Sequence, residues 1–331
     1  MTIKALVTGG TGFLGANLVA GLNDLGVDAR VLKRASSSLL ALDGLSYEAV
    51  EGDILDEPDD LARLMEDVDW VFHVAAVSDY WRQNTEWLYK VNVEGTKNVL
   101  EAAKMAGVKR VVFTGSGSAL GLPVGDEVLT EESQFNLKPK EWPYAHSKHL
   151  AELEVRRATD EGLACVTLLP TIAIGPRDLN LISGTFIIET ARGLAKVYPP
   201  GGTNYVDVAQ VVAGHIAAAE LGQVGQRYIL GGQNLTHREA VEIACEIVGR
   251  PAPRVGLPRW SLGPLAAVVA GARAIFGNRI PFNAGHVRMS GINLYFDPSK
   301  AVQELGLKIT PFRQAAKNAF DWYNENGFLT E

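Results

Sequence analysis

Three side chains in the middle of the chain have the types and spacing needed for proton transfer at an oxygen-bearing carbon. Tyr144 and Lys148, in PYAHSK, lie four residues apart, so a helix would present both on one face. Tyrosine ordinarily titrates near about pH 10, and a nearby ammonium would stabilise its anion, so Tyr144 could exchange a proton near neutral pH. Ser116, in FTGSGSALG, would bind the reacting oxygen, with Ser118 in reserve. A Tyr-x-x-x-Lys pattern alone usually belongs to an ordinary helix surface. Its value as evidence for catalysis therefore depends on its context in the rest of the sequence.

That context includes the stretch LVTGGTGFLG near the start of the chain. Its glycines follow a predicted strand and open an amphipathic helix. Such glycines permit a tight turn and a close approach of the backbone to a pyrophosphate, and the helix N-terminus offers N–H groups and a positive dipole. An ordinary strand-to-helix turn is the alternative. We predict dinucleotide binding by Gly9, Thr11, Gly12, Phe13, Leu14 and Gly15.

The choice of cofactor depends on the end of the second predicted strand. ARVLKR ends there in Lys33 and Arg34, where an acidic residue would bind the ribose hydroxyls of NAD. Two cations would attract the 2′-phosphate of NADP, so the sequence favours NADP(H). NAD(H) is possible if both side chains are merely solvated. In EGDILD, Asp53 and Ile54 are placed to bind the adenine by a hydrogen bond and an apolar contact, unless they form a plain turn.

The elements that must position these residues alternate between strand and helix from residue 3 to about residue 170. Apolar β-branched runs such as RVVFTG and ACVTLLP are separated by helical patterns such as FLGANLVAGLNDLG. This alternation predicts an α/β fold with a doubly wound parallel sheet, which is a Rossmann domain. We assign 1–169 to that domain, with 204–233 returning to its sheet. The segments 170–203 and 234–331 are expected to form a smaller, mostly helical substrate domain.

Composition narrows the class of protein. The net charge of −7 and the absence of a dense Lys/Arg run argue against nucleic acid as a partner. Cys165 and Cys245 lie in apolar surroundings, and we expect no metal site and a cytoplasmic protein without a signal peptide. The apolar stretch from Leu262 contains Arg273 and is shorter than the roughly 20 residues that span a bilayer. We expect a surface or core helix there, with a hydrophobic lid or an interfacial contact as alternatives.

Taken together, these segments resemble the extended short-chain dehydrogenase/reductase superfamily, which includes nucleotide-sugar epimerases. The likeness covers nearly the whole chain and is carried by TGGTGFLG, GDILD, HVAA, VNVEGTKNVL, TGSGSALG, YAHSK, LLPTIAIGP and YVDVAQVV. HVAAVSDYW and NLYFDPSKAVQELGL make it most similar to dihydroflavonol-reductase-like proteins and to proteins labelled hopanoid-associated sugar epimerases. The resemblance implies a catalytic set of Ser116, Tyr144 and Lys148, supported by Asn92. Gly115 departs from it, because a hydroxyl residue is usual there.

The resemblance also assigns residues around the cofactor. His73, Ala75 and Ala76 would line it near the phosphates and ribose, with a structural role as the alternative for His73. Pro170 and Thr171 would lie by the nicotinamide. The acidic pair that follows the catalytic hydroxyl in sugar 4,6-dehydratases is missing, so we do not expect dehydration.

Three functions remain open at this stage. The first is an NADP(H)-dependent oxidoreductase that reduces a ketone or aldehyde, or oxidises the alcohol, by hydride transfer. The second is a nucleotide-sugar epimerase with tightly bound NAD, for which Arg177, Arg227 and Arg288 are candidate diphosphate ligands. The third is a protein that senses NADP without catalysis. An intact serine, tyrosine and lysine set argues against the third, because a sensor needs no proton donor.

Contacts with the substrate are the least determined part of the sequence. Ser118, Tyr80, Arg177 and Tyr205 are candidates, although packing would explain the aromatic residues equally well. We expect a small-molecule carbonyl or alcohol as the substrate and a homodimer as the assembly.

Overall fold

The computed structural model describes residues 3–78, 84–277 and 283–329. Within them, the larger sheet has seven parallel strands, and neighbouring strands reverse their sequence order between β1 and β4. This doubly wound arrangement confirms the α/β fold expected from the alternating pattern. In order across the sheet, the strands are Glu48–Glu51 (β3), Asp28–Lys33 (β2), Lys4–Thr8 (β1), Trp70–His73 (β4), Arg110–Thr114 (β5), Cys165–Pro170 (β6) and Arg227–Leu230 (β9).

Helices cover both faces of this sheet. One face carries Phe13–Asp24 (α1) and Val208–Glu220 (α7). The other carries Pro58–Leu64 (α2), Gly95–Met105 (α4) and Pro143–Asp160 (α5). Successive residues of the central strands enter the two cores alternately, which explains why β1, β4, β5 and β6 are mostly apolar. The edge strand β3 is largely exposed. Thr85–Tyr89 (α3) continues through a π-helical turn over Lys90–Glu94 into α4.

A second, four-stranded sheet is centred on Gly202–Asp207 (β8). Gln233–Thr236 (β10) pairs antiparallel with one side of β8, and Ile172–Ile174 (β7) and Asn293–Leu294 (β11) pair parallel with it. The assignment of 204–207 to the large sheet is therefore wrong, although α7 and β9 do return to it. An apolar run such as YVD predicts a buried strand without indicating which sheet it joins.

The remaining helices complete the smaller part. They are Thr185–Ala191 (α6), His237–Val248 (α8), Leu262–Phe276 (α9), Ala284–Met289 (α10), Ser299–Leu305 (α11) and Phe312–Glu325 (α12). Helices α6, α8 and α12 share a core with β8, and α9 packs on α10. In contrast, α11 packs on α7 and β9, so it joins the core of the large sheet. The C-terminal region is thus helical, as predicted from the sequence, and the small sheet around β8 is an addition to it.

Across the described ranges, no helix is both long enough and apolar enough to cross a membrane.

Candidate active site

The catalytic candidates meet where β5 ends and α5 begins. The serine loop leaves β5, and Ser116 Oγ accepts a hydrogen bond from the Ser118 N–H at 3.2 Å and lies 2.9 Å from Ser118 Oγ. Pro143 occupies the first position of α5, where its missing N–H costs nothing, and this places Tyr144 in the first turn. Burial raises the pKa of Tyr144, and a hydrogen bond with the Ser116 side chain partly lowers it. Tyr144 and Ser116 can thus hold one substrate oxygen together.

One turn further along α5, Lys148 is buried beneath the same site. Its Nζ donates a hydrogen bond to the Thr114 carbonyl at 2.6 Å and lies 4.9 Å from the centre of the Phe113 ring. Burial lowers the pKa of Lys148 from 10.5 to about 7. Such a group can gain or lose a proton near neutral pH, which is unusual for lysine and typical of a functional site.

Asn92 connects the site to the loop after β4. It lies in the π-helical turn, a feature that often occurs at functional sites. Its side chain accepts a hydrogen bond from the Val77 N–H at 2.7 Å and donates to Val77 O at 3.2 Å and to Ser147 Oγ at 3.0 Å. Ser147 Oγ donates in turn to the Tyr144 carbonyl at 2.8 Å. Asn92 therefore positions the backbone of α5 at Tyr144.

The glycine loop between β1 and α1 has the shape of a pyrophosphate cradle. Gly9 has φ of +69°, and a Cβ there would lie 2.6 Å from Ala75 N; a Cβ on Gly15 would lie 2.2 Å from Gly9 O. Gly12 caps α1 without a side chain, and the first turn of the helix has no acidic residue. The backbone N–H groups of that turn are thus left to an anion, so the loop fits a dinucleotide. The other predicted loop residues are partly exposed: Thr11, Phe13 and Leu14.

At the predicted adenosine end, the two cations differ in their surroundings. Lys33 Nζ lies 3.4 Å from Glu51 Oε2, so a carboxylate partly neutralises it. Arg34 is exposed, its N–H donates to Ser37 Oγ at 3.2 Å, and the Ser37 N–H donates back to Arg34 O at 3.0 Å. This turn brings the Ser37 hydroxyl to the backbone of Arg34. Ser37 was not among the residues predicted from the sequence, although the run RASSS after β2 was a signal for it.

Asp53 and Ile54 shape the turn after β3. Asp53 Oδ1 accepts a hydrogen bond from the Leu55 N–H at 3.1 Å, and the Asp53 N–H donates to Asp56 Oδ2 at 2.7 Å. Ile54 is buried, and its Cδ1 fills the space over Gly95. The plain-turn interpretation therefore accounts for the Asp53 contacts found here, while adenine binding stays a prediction.

His73 lies in a buried chain of hydrogen bonds behind the cofactor loop. Its Nδ1 is 2.8 Å from Thr8 Oγ1 and its Nε2 is 2.9 Å from Thr96 Oγ1, which donates to the Asn92 carbonyl. Thr8 Oγ1 also accepts hydrogen bonds from the Ala75 and Val74 N–H groups, each at 3.2 Å. Burial, followed by the charge of Lys148, lowers the pKa of His73 to about 3. A neutral His73 thus has the structural role that was the alternative interpretation.

The residues expected by the nicotinamide, Pro170 and Thr171, lie at the carboxyl end of β6. Thr171 Oγ1 donates to Asn204 Oδ1 at 2.7 Å, and its N–H donates to Leu230 O at 3.2 Å, so Thr171 ties β6 to the small sheet. A Cβ on Gly117 would lie 3.5 Å from the Pro170 carbonyl, so Pro170 lies against the serine loop. After β4, Ala75 and Ala76 are partly exposed.

Most of the chain matches a known protein family. A family model described as the NAD dependent epimerase/dehydratase family matches residues 5–231. The chain belongs to this family. The match confirms the resemblance drawn from the motifs, and it places the protein among enzymes that use a nicotinamide dinucleotide.

Individual relatives are similar to this chain along nearly their whole length. A Synechocystis protein provisionally named dihydroflavonol 4-reductase is 37% identical over 328 residues, which is 98% of this chain and 95% of the relative. Sterol demethylase protein B of Methylococcus capsulatus is 32% identical over 333 residues, 99% of this chain and 100% of the relative. The crystal structure of gox2253 is similar with a TM-score of 0.86, 34% identity and 98% of both chains covered. Solved structures that contain NAD share the fold at 23–24% identity.

Steric contacts explain why this chain has glycine at position 115, where a hydroxyl residue is usual in the family. A Cβ on Gly115 would lie 2.8 Å from Leu169 Cδ2 and 3.0 Å from Leu168 O, so a hydroxyl residue would not fit without movement of Leu169. Two residues on, a Cβ at Gly117 would lie 3.0 Å from the Phe296 ring. Neighbouring apolar side chains therefore fill the space on either side of Ser116.

The predicted aromatic contacts of the substrate divide into two cases. Tyr80 lies outside the described residues. Tyr205 is buried in β8, and its ring centre is 4.7 Å from that of Phe312 and 6.4 Å from that of Phe186. The structure thus gives Tyr205 a packing role in the core of the smaller part, which was the alternative interpretation.

The candidate diphosphate ligands do not converge. Arg177 Nη1 donates a hydrogen bond to Ala41 O at 2.8 Å, so this side chain binds the backbone of the segment after β2. Arg227 begins β9, at the amino edge of the sheet and opposite the site, and pairs with the buried Glu152 at 2.8 Å. Arg288 is exposed on α10. Arg177 and Arg227 thus make their contacts within the protein, and the structure brings no two of the three arginines together.

Proposed function

We propose that the protein is an NADP(H)-dependent oxidoreductase that reduces a ketone or aldehyde, or oxidises the corresponding alcohol. The observation that carries this is the hydrogen-bonded Ser116 and Tyr144 beside a buried Lys148 whose pKa is about 7. Hydride transfer to a carbonyl carbon requires a proton at its oxygen. These three side chains can hold that oxygen and supply that proton.

In the proposed reduction, each side chain has a separate role. The nicotinamide, when bound, would supply the hydride. Ser116 Oγ donates a hydrogen bond to the substrate oxygen and holds it beside Tyr144, whose hydroxyl gives its proton to that oxygen. The Lys148 ammonium then stabilises the tyrosinate, because a nearby positive charge favours the anionic form. Asn92 keeps the start of α5 in place through Ser147.

The preference for NADP(H) rests on the turn after β2. Arg34 and the Ser37 hydroxyl form the kind of donor set that binds a phosphate dianion, and β2 ends without a carboxylate that would select a free ribose hydroxyl. Glu51 beside Lys33 weakens the case for that lysine but leaves Arg34 unaffected. NAD is the alternative, supported by the NAD-containing structures of the same fold.

The substrate that we propose is an apolar cyclic ketone or alcohol. Two relatives that match nearly the whole chain carry the names dihydroflavonol 4-reductase and sterol demethylase protein B, and further relatives are named sterol and hydroxysteroid dehydrogenases. A nucleotide-sugar substrate would need diphosphate ligands, and the structure engages Arg177 and Arg227 elsewhere.

The test is NADPH and NADH oxidation by the purified protein against a panel of cyclic ketones, aldehydes and nucleotide sugars. We expect turnover with NADPH and a cyclic ketone. Tyr144→Phe and Ser116→Ala should each lower kcat by about 100-fold or more, as expected for loss of a proton donor or its partner. Tyr47→Phe, remote from the serine loop, is the matched control. Release of stoichiometric NAD on denaturation, with no carbonyl reduced, would instead identify an epimerase.

A further inference from the structure

The part of helix α9 before Arg273 is apolar on every side, yet only one side of it is packed. From Leu262 to Ala272 it has no charged or hydrogen-bonding side chain. Leu262, Ala266 and Val269 are buried and form a cluster with α10, whereas Val268 is 67% and Ile275 77% exposed. A helix that is apolar all round is ordinarily buried all round, so the outer face of α9 is suited to a partner.

The exposed apolar surface extends beyond the helix. Trp260, in the turn that leads into α9, is 78% exposed. The other large apolar side chains exposed on α9 itself are Leu265 and Phe276. We call this surface, with Trp260, Val268 and Ile275, the α9 face. Contiguous exposed apolar patches on a folded protein commonly mark an interaction site.

The sequence segment that contains α9 has a net charge opposite to that of the protein as a whole. Between Glu246 and Asp297 the sequence contains no Asp, Glu or Lys and six arginines: Arg250, Arg254, Arg259, Arg273, Arg279 and Arg288. This segment therefore carries +6, and since the whole chain carries −7, the rest carries −13 (−7 minus 6). A strongly basic apolar segment in an acidic protein is complementary to an anionic surface.

We propose that the α9 face docks on an anionic lipid bilayer, with α9 lying in the plane of the membrane. The 15 residues of α9 measure about 22 Å at 1.5 Å per residue, which is shorter than the roughly 30 Å of the hydrocarbon core. Exposed tryptophan, aliphatic side chains and flanking arginines are the composition of helices that lie at this interface. The proposal does not depend on the reaction proposed above.

A bilayer fits the α9 face better than a second protein molecule does. Two copies meeting face to face would bring two segments of +6 together, and like charges across an interface disfavour association. The apolar side chains also project from a convex helix with no charged position among them from Leu262 to Ala272. A bilayer with negative headgroups can bury the apolar side chains and also pair with the arginines.

The test is co-sedimentation of the full-length protein with vesicles of phosphatidylcholine alone and with vesicles in which about a third of the lipid is phosphatidylglycerol. We expect partitioning onto the anionic vesicles to be about tenfold stronger or more, and to weaken at high salt. The double variant Val268→Ser/Ile275→Ser should lower partitioning onto anionic vesicles by about tenfold, because two apolar side chains no longer enter the bilayer. Leu221→Ser/Val224→Ser, at exposed apolar positions elsewhere, is the matched control.

Circular dichroism and thermal melting verify that both double variants fold. Equal binding to both kinds of vesicle, absence of binding, or equal loss in the two double variants would overturn the proposal. So would a dimer, detected by size exclusion, that dissociates in the Val268→Ser/Ile275→Ser variant while no vesicle binding occurs, because a second copy would then be the occupant. Binding only to an acidic protein would overturn it as well.

Discussion

Replacement of Lys148 by methionine should stabilise the fold while it abolishes the reaction. Lys148 is buried beneath the candidate active site, and its pKa falls from 10.5 to about 7 because burial disfavours the ammonium. A fall of roughly 3.5 units corresponds to about 5 kcal/mol of unfavourable free energy in the folded state when the lysine is charged in both states. The substitution also leaves the Thr114 carbonyl without its donor, which costs about 1–3 kcal/mol. The expected net gain is roughly 2–4 kcal/mol.

The gain should depend on pH in a defined direction. Below about pH 7 the lysine is protonated in both the folded and unfolded states, so the full cost is present. Between about pH 7 and the unfolded value, the unfolded chain binds a proton that the folded protein does not, so wild-type stability rises with pH. The advantage of Lys148→Met should therefore be greatest near about pH 6 and shrink by about 1.4 kcal/mol per unit above pH 7.

The assay is thermal melting without cofactor at about pH 6 and about pH 9, together with the activity assay. An unfolding entropy of roughly 2.1 cal/mol/K per residue gives about 0.7 kcal/mol/K for 331 residues, so 2–4 kcal/mol raises Tm by about 3–6 °C near pH 6. Lys308→Met, at an exposed position, should leave Tm unchanged at both values. A lower Tm for Lys148→Met near pH 6, or a difference that is the same at both pH values, would refute the reasoning.

Three further predictions address the cofactor loop, the adenosine end and the small sheet. Arg34→Ala should weaken NADPH binding by about 10- to 100-fold and leave NADH binding unchanged, measured by fluorescence titration; an equal loss for both cofactors would contradict a 2′-phosphate role. Gly15→Ala should abolish cofactor binding in the same titration, because the Cβ would lie 2.2 Å from Gly9 O, whereas Gly263→Ala, where the Cβ meets nothing, should bind normally. Tyr205→Phe should leave KM within about twofold, because Tyr205 packs in a core; a tenfold rise in KM would restore it as a substrate contact.

The large sheet was predictable from the sequence because its central strands are buried on both faces. Such strands read as continuous apolar runs, and α1, α4 and α5 separate them with clear helical periodicity. The small sheet was not predictable. Its strands β7 and β11 have three and two residues, too short for any periodicity, and their pairing with β8 depends on tertiary contacts.

Within the site, spacing was the reliable signal. A four-residue interval on a helix fixes a shared face, and Tyr144 and Lys148 do share one beside Ser116. Residue type alone was misleading for the arginines, since Arg227 begins β9 and therefore lies at the edge of the sheet opposite the site. The Ser37 turn was not predicted, because the prediction for this part of the site rested on the charges of Lys33 and Arg34 and not on neighbouring hydroxyls.

Helix α5, which carries Tyr144 and Lys148, and the α9 face belong to neighbouring elements. Trp142, the residue that caps α5, packs edge-to-face on His286 of α10 with ring centres 5.9 Å apart, and α10 packs on α9. An apolar cyclic ketone partitions into bilayers. A proton donor held next to a bilayer-docking helix would therefore be close to the membrane that contains its substrate. The two proposals still rest on different side chains, because Val268→Ser/Ile275→Ser leaves the Ser116, Tyr144 and Lys148 set untouched. Loss of vesicle binding with intact reduction of a water-dissolved ketone would therefore separate membrane docking from catalysis.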